Sequence, residues 1–241
     1  MIAAPIRIVP LRTEAVAPVA LPRLTYRGGP LLTSVEAFLF FWGEAWTRQA
    51  DVMEKLSAFF DYIVSSPLID QLSEYGVQDD AIGYGSRTGA IALSTSPPPQ
   101  VADLEIQRFI REEIASDPAV APPTANSPYF VFLPPGVTVD LDGASSCVNF
   151  CGYHDAIDGE IFYAVMPYPE CEGCSADMPV LDALTVTSSH ELCEAITDPI
   201  AGQSWYDDHN GEIADICAWQ TKELGGYAVQ LEWSNREGRC V

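Results

Sequence analysis

Ser189-His190-Glu191-Leu192-Cys193-Glu194 is the stretch on which the reading of this chain turns. In a helix, side chains at i and i+4 project side by side, so His190 and Glu194 can reach a single cation. Glu191 lies about 100° further round the same helix than His190, close enough to take a proton from a water held by that cation. The familiar form of this pattern has histidine at both ligand positions. Here a carboxylate stands in the second, which makes the donor set harder and more anionic. Zinc accepts such a set and is the first expectation, with iron or manganese behind it. The hydrophobic pattern predicts a helix over 181–197, stopped by Pro199.

Working outward, a metal held for hydrolysis needs a third protein ligand and one open position. The chain supplies acidic residues directly after the helix: Asp198, Asp207, Asp208, Glu212 and Asp215. Glu212 and Asp215, three residues apart, can supply a ligand and a carboxylate that orients His190. Asp198 competes, because i, i+4 and i+8 share a helix face, but Pro199 works against a helix reaching that far. The strand expected at Ile161–Met166 precedes a cysteine knuckle and then this helix. Zincin metallohydrolases place their substrate-edge strand and active-site helix in that order. Histidines elsewhere carry less weight. His154 follows Cys151-Gly152-Tyr153 and reads as a structural residue beside a disulfide, and His209 reads as an exposed loop residue. Asp140 and Asp142 before Gly143, and Asp208-His209-Asn210-Gly211-Glu212, are oxygen-rich enough for calcium but lack EF-hand spacing, so they read as turns. The five tryptophans read as core, with a carbohydrate-stacking surface as the alternative.

Bulk properties narrow the function classes. Twelve Lys and Arg stand against 34 Asp and Glu, a formal net charge of -22. Such a surface repels phosphate backbones and excludes nucleic acid as a partner. The longest apolar run, Ala37 to Trp42, is too short to span a bilayer, so no membrane role is expected. Seven cysteines all follow position 146. The doublets Cys147/Cys151 and Cys171/Cys174 are read as local disulfides rather than zinc-ribbon ligands, because only the second has knuckle spacing. Cys217 and Cys240 make a third bridge, leaving Cys193 as a small buried residue on its helix. Disulfides point to an extracellular or periplasmic setting. Met1 to Ala20 contains Arg7, Arg12, Glu14 and three prolines, so no signal sequence is visible there.

Residues 1–25 read as a Pro-rich N-terminal arm and 26–241 as one domain. Strands are expected at Val35–Trp42, Ile82–Leu93, Tyr129–Leu133, Val137–Leu141, Ile161–Met166 and Tyr227–Trp233. Amphipathic helices are expected over Thr47–Ser65 and Val101–Ala115, the second facing its core with Leu104, Ile106, Phe109, Ile110 and Ile114, and a short helix over Pro67–Tyr75. The irregular alternation predicts an α+β fold with a mixed sheet.

Several blocks together resemble the phosphate-induced/exordium-like family and its bacterial zincin-like relatives. They are Tyr26-Arg27-Gly28-Gly29-Pro30, Ser66-Pro67, Phe150-Cys151-Gly152-Tyr153-His154, the Cys171/Cys174 knuckle, Ser189 to Leu192, Glu194 to Pro199, Trp205-Tyr206-Asp207 and Gly211 to Cys217. The resemblance covers residues 26 to 220. It implies a secreted protein with a zincin-like domain. Plant members of the family carry Asn where Asp198 stands and keep the Glu-Ile-x-Asp block, which favours Glu212 or Asp215 as third ligand. The expectation is a zinc endopeptidase acting on peptide or protein substrates, with Glu191 as general base. The alternative is a non-catalytic cell-wall or partner-binding protein with a structural metal or calcium site.

Overall fold

A computed structural model describes residues 8–12 and 21–241 of the chain. A six-stranded sheet organises them: β1 (Ile8–Pro10), β2 (Ser34–Trp42), β3 (Gly83–Leu93), β4 (Pro128–Phe132), β5 (Phe150–Ile157) and β6 (Ile161–Met166). Their spatial order is β1-β5-β6-β4-β2-β3. The run β6, β4, β2, β3 is parallel, whereas β5 is antiparallel to both β6 and β1. The chain is thus α+β with a mixed sheet.

The interior parallel strands β2, β4 and β6 are apolar on both faces because both are covered. Successive residues point to opposite sides. On one side Ala37, Leu39 and Phe41 of β2, Phe130 and Phe132 of β4 and Phe162, Ala164 and Met166 of β6 share a core. Phe38, Phe40 and Trp42, Tyr129 and Val131, and Tyr163 and Val165 build the core on the other side. Helices α1 (Ala50–Ile63), α2 (Pro67–Leu72) and α4 (Val180–Thr197) pack into the first core, and α3 (Asp103–Ser116) into the second. Helix α1 turns Leu56, Phe59, Phe60 and Ile63 inward, at the spacing expected of it. In α3 only Ile106, Phe109 and Ile110 are buried, and Ile114 is partly so. Leu104, expected in that core, is 70% exposed, since it sits in the first turn on the opposite face.

Helix α4 has every residue from Ala183 to Thr197 buried. It is enclosed by β5, β6, α1 and a hairpin of Thr221–Leu224 with Tyr227–Gln230. Its polar residues serve as clamps: Thr185 donates to the Ala228 carbonyl (2.7 Å), and Ser189 accepts from the Gln230 amide (3.0 Å). The helix ends at Thr197. The Asp198 carboxylate accepts the amides of Gly202, Gln203 and Ser204, so it organises the following loop.

Four expectations need correction or refinement. Ile161–Met166 is an interior strand, because β5 and β1 lie outside it. Residues 150–157, which the sequence reading had not identified as a strand, are that outer antiparallel strand. The late strand is broken into Tyr227–Gln230 and Trp233–Ser234. The cysteine doublets pair across rather than within: Cys147–Cys171 and Cys151–Cys174, beside Cys217–Cys240. Cys171 and Cys174 occupy one short helical turn alongside the start of β5, so each faces a cysteine of the other doublet. Cys193 is buried and free. Of the Pro-rich arm, residues 1–7 and 13–20 lie outside the described residues, while Ile8–Pro10 is a strand of the sheet.

Candidate metal centre

His190, Glu191 and Glu194 leave α4 toward β5, where strand alternation turns Gly152 and His154 to meet them. The approach is close: a Cβ on Gly152 would lie 2.6 Å from Thr187 Cγ2 and 3.4 Å from Glu191 Oε1. His190, Glu191, Glu194 and Glu212 are wholly buried, and His154 is 1% exposed.

His190 Nδ1 lies 3.1 Å from Gln230 Oε1. The orientation of Gln230 is set by its own bonds, since Oε1 also accepts the Trp219 amide and Nε2 donates to the Ala214 carbonyl. Nδ1 of His190 therefore carries a hydrogen, and Nε2 is the nitrogen at which a proton or a metal ion can stand. That nitrogen faces Glu194 Oε1 at 3.0 Å and Asp215 Oδ1 at 3.9 Å. The ligand atoms of His190, Glu194 and Asp215 all lie within 4.8 Å of one another. Asp215 is oriented by its Oδ2, which accepts the Glu212 amide, and its own amide donates to Glu194 Oε1.

Of the three acidic residues considered as a third ligand, Asp215 is the one that joins His190 and Glu194. Glu212 stands against the other histidine, 3.5 Å from His154 Nε2. Asp198 is occupied as the organiser of the loop after α4. The suspected calcium loops are turns: Asp207 accepts the amides of His209, Asn210 and Arg23, and Asp140 accepts that of Gly143. Asp208 pairs with Arg27. His209 is exposed, as expected of a loop residue.

His154 is the main residue whose part the sequence reading missed. Its Nδ1 is 2.9 Å from Glu191 Oε2 and 3.4 Å from Glu194 Oε2. The alternation of a strand through 150–154, with Gly152 two residues before it, was the signal that it faces α4. Gln230 was missed too, because nothing local to it marks a site.

The electrostatics of the cluster are severe. Burial disfavours the charged ring of His190, yet Glu194, Glu191 and Asp215 outweigh it and push its pKa up to about 10. His154 is raised in the same way against its burial, chiefly by Glu212, Glu191 and Glu194. Glu194, opposed by burial but flanked by both histidines, is held down at about 2. Burial raises Glu191, Glu212, Asp215 and Glu232. Among the described residues, His190 Nε2, Glu191 Oε1, Glu194 Oε2 and both oxygens of Glu212 are buried without a hydrogen-bond partner. Each such group costs about 1–3 kcal/mol or more when left unsatisfied. A cation among them removes that cost, so the donor set fits a transition metal. The cluster Cys147, Cys171 and Cys174 does not, since its thiols are in disulfides.

No protein-family model, no curated protein and no solved structure matches this chain.

Proposed function

We propose that the chain is a zincin-like, metal-dependent endopeptidase, related to the exordium-like proteins and working in an oxidising, extracellular or periplasmic setting. One observation carries the reading: Nε2 of His190 faces the carboxylates of Glu194 and Asp215 in a buried site, beside an unpartnered oxygen of Glu191. His190, Glu194 and Asp215 would hold the metal, with zinc first and iron or manganese behind it. When bound, such an ion supplies Lewis acidity and acidifies a coordinated water. Glu191 Oε1 would accept a proton from the attacking water and pass it to the leaving amine. The raised pKa of Glu191 suits that exchange. Gln230 fixes the His190 tautomer. Three disulfides agree with the setting, and no helix among the described residues is long and apolar enough to cross a membrane.

Glu191→Gln should keep the ion on His190 and lower cleavage of an unstructured protein such as casein by about 10²–10⁴-fold. Cleavage at the wild-type rate would remove Glu191 from the chemistry. Complete burial of His190, Glu191 and Glu194 favours a second reading, a non-catalytic secreted module with a structural ion. A metal-loaded wild-type protein that cleaves nothing would establish that second reading in place of the first.

A further inference from the structure

We infer a second cation site beside the first, in which His154 Nδ1, Glu191 Oε2 and Glu194 Oε2 hold a divalent transition-metal ion and Glu194 bridges it to the ion on His190. The inference rests on the reading of His190 and Glu194 as a metal-binding pair and extends it to the opposite wall of the site.

His154 is built as His190 is. Its Nε2 lies 3.3 Å from the Asp198 carbonyl oxygen, which can only accept, so Nε2 carries the hydrogen. Glu212 Oε1, 3.5 Å from the same nitrogen, reinforces that tautomer. Nδ1 then presents a lone pair to Glu191 Oε2 at 2.9 Å and to Glu194 Oε2 at 3.4 Å. A lone pair does not rest against two carboxylates unless a proton or a metal ion stands between them. The three ligand atoms lie within 4.8 Å of one another, and all three residues are buried.

Two features argue for the metal ion. Glu194 divides its oxygens, Oε1 toward His190 Nε2 and Oε2 toward His154 Nδ1, which is the disposition of a bridging carboxylate. Its Oε2 is buried and has no hydrogen-bond partner among the described residues. Imidazole with carboxylate suits zinc, manganese or iron, and disfavours calcium, which takes oxygen ligands. Glu191 Oε1 stays free for proton transfer.

The test is metal stoichiometry on the full chain, stripped with chelator and then dialysed against Zn²⁺ or Mn²⁺ alone. Two ions per chain are expected, with exchange-coupled manganese in the electron paramagnetic resonance spectrum. His154→Gln should bind one. Its amide reaches the place of Nε2 and the Asp198 carbonyl, but offers nothing at Nδ1. One ion in the wild type overturns this inference and leaves the first site standing. No bound ion overturns both. Two ions in His154→Gln place the second ion elsewhere and overturn the assignment. If His154→Gln does not fold, the wild-type count and its manganese coupling decide.

Discussion

The chemistry of single side chains is set by neighbours that contribute no charge. Gln230 gives His190 its tautomer by accepting from Nδ1, and the Trp219 amide and Ala214 carbonyl keep Gln230 from flipping. Gln230→Ala should therefore weaken zinc binding about 10–100-fold, read by competition with a chromogenic chelator, with secondary structure unchanged. An unchanged affinity would mean that the ring is positioned by something else. Gly152 works sterically: an added methyl would meet Thr187 Cγ2 at 2.6 Å and force β5 and α4 apart. Gly152→Ala should cost about 1–3 kcal/mol, seen as a fall in thermal midpoint. The pair His190 and Glu194 was legible in the sequence because a helix makes i and i+4 neighbours whatever the tertiary fold. His154 and Gln230 come to the site from a strand and the hairpin, so only the fold brings them there.

Elements decide how firmly those side chains are held. The strands at 34–42, 128–132 and 161–166 were legible because strands covered on both faces read as apolar runs. Strand β5 was not, since Cys151, Gly152, His154 and Asp155 break that run. This strand borders the acidic cluster, and it carries one bridged cysteine, Cys151, with the other, Cys147, just before it. Those bridges, with sequence separations of 24 and 23, tie the start of β5 to the turn that leads into α4. Chain-entropy arguments give each about 3 kcal/mol. A reductant should thus lower the thermal midpoint and weaken metal binding together. If stability falls while affinity is unchanged, the bridges do not support the site.

At the scale of the whole molecule, protons and metal compete for one buried cluster. His190, raised to about 10, contributes stability that is complete below its ordinary 6.5 and lost as pH climbs through 10. Glu212 and Asp215, raised by burial, act in the same direction from their ordinary carboxylate range upward. Glu194, depressed to about 2, acts oppositely, losing its contribution as pH falls below 4.5. The stripped protein should therefore weaken with rising pH. Metal binding displaces these protons, so the gap in thermal midpoint between loaded and stripped forms should widen from about pH 5 to about pH 8. A gap that stays constant would place the ion outside the cluster. Strand β1 bears on access, since Val9 pairs with Gly152, whose other side meets Glu191. A peptide approaching along β5 must displace Ile8–Pro10, and Val9→Asp should raise the rate of casein cleavage under the peptidase reading.

On the proposed reading, α4 carries a transition-metal site built on His190 and Glu194. Elemental analysis of the native chain, purified without chelator, tests it most directly. Zinc, iron or manganese is expected in at least stoichiometric amount, with a thermal midpoint that falls on stripping and recovers on reloading. A metal-free protein whose midpoint ignores all three added ions would contradict it.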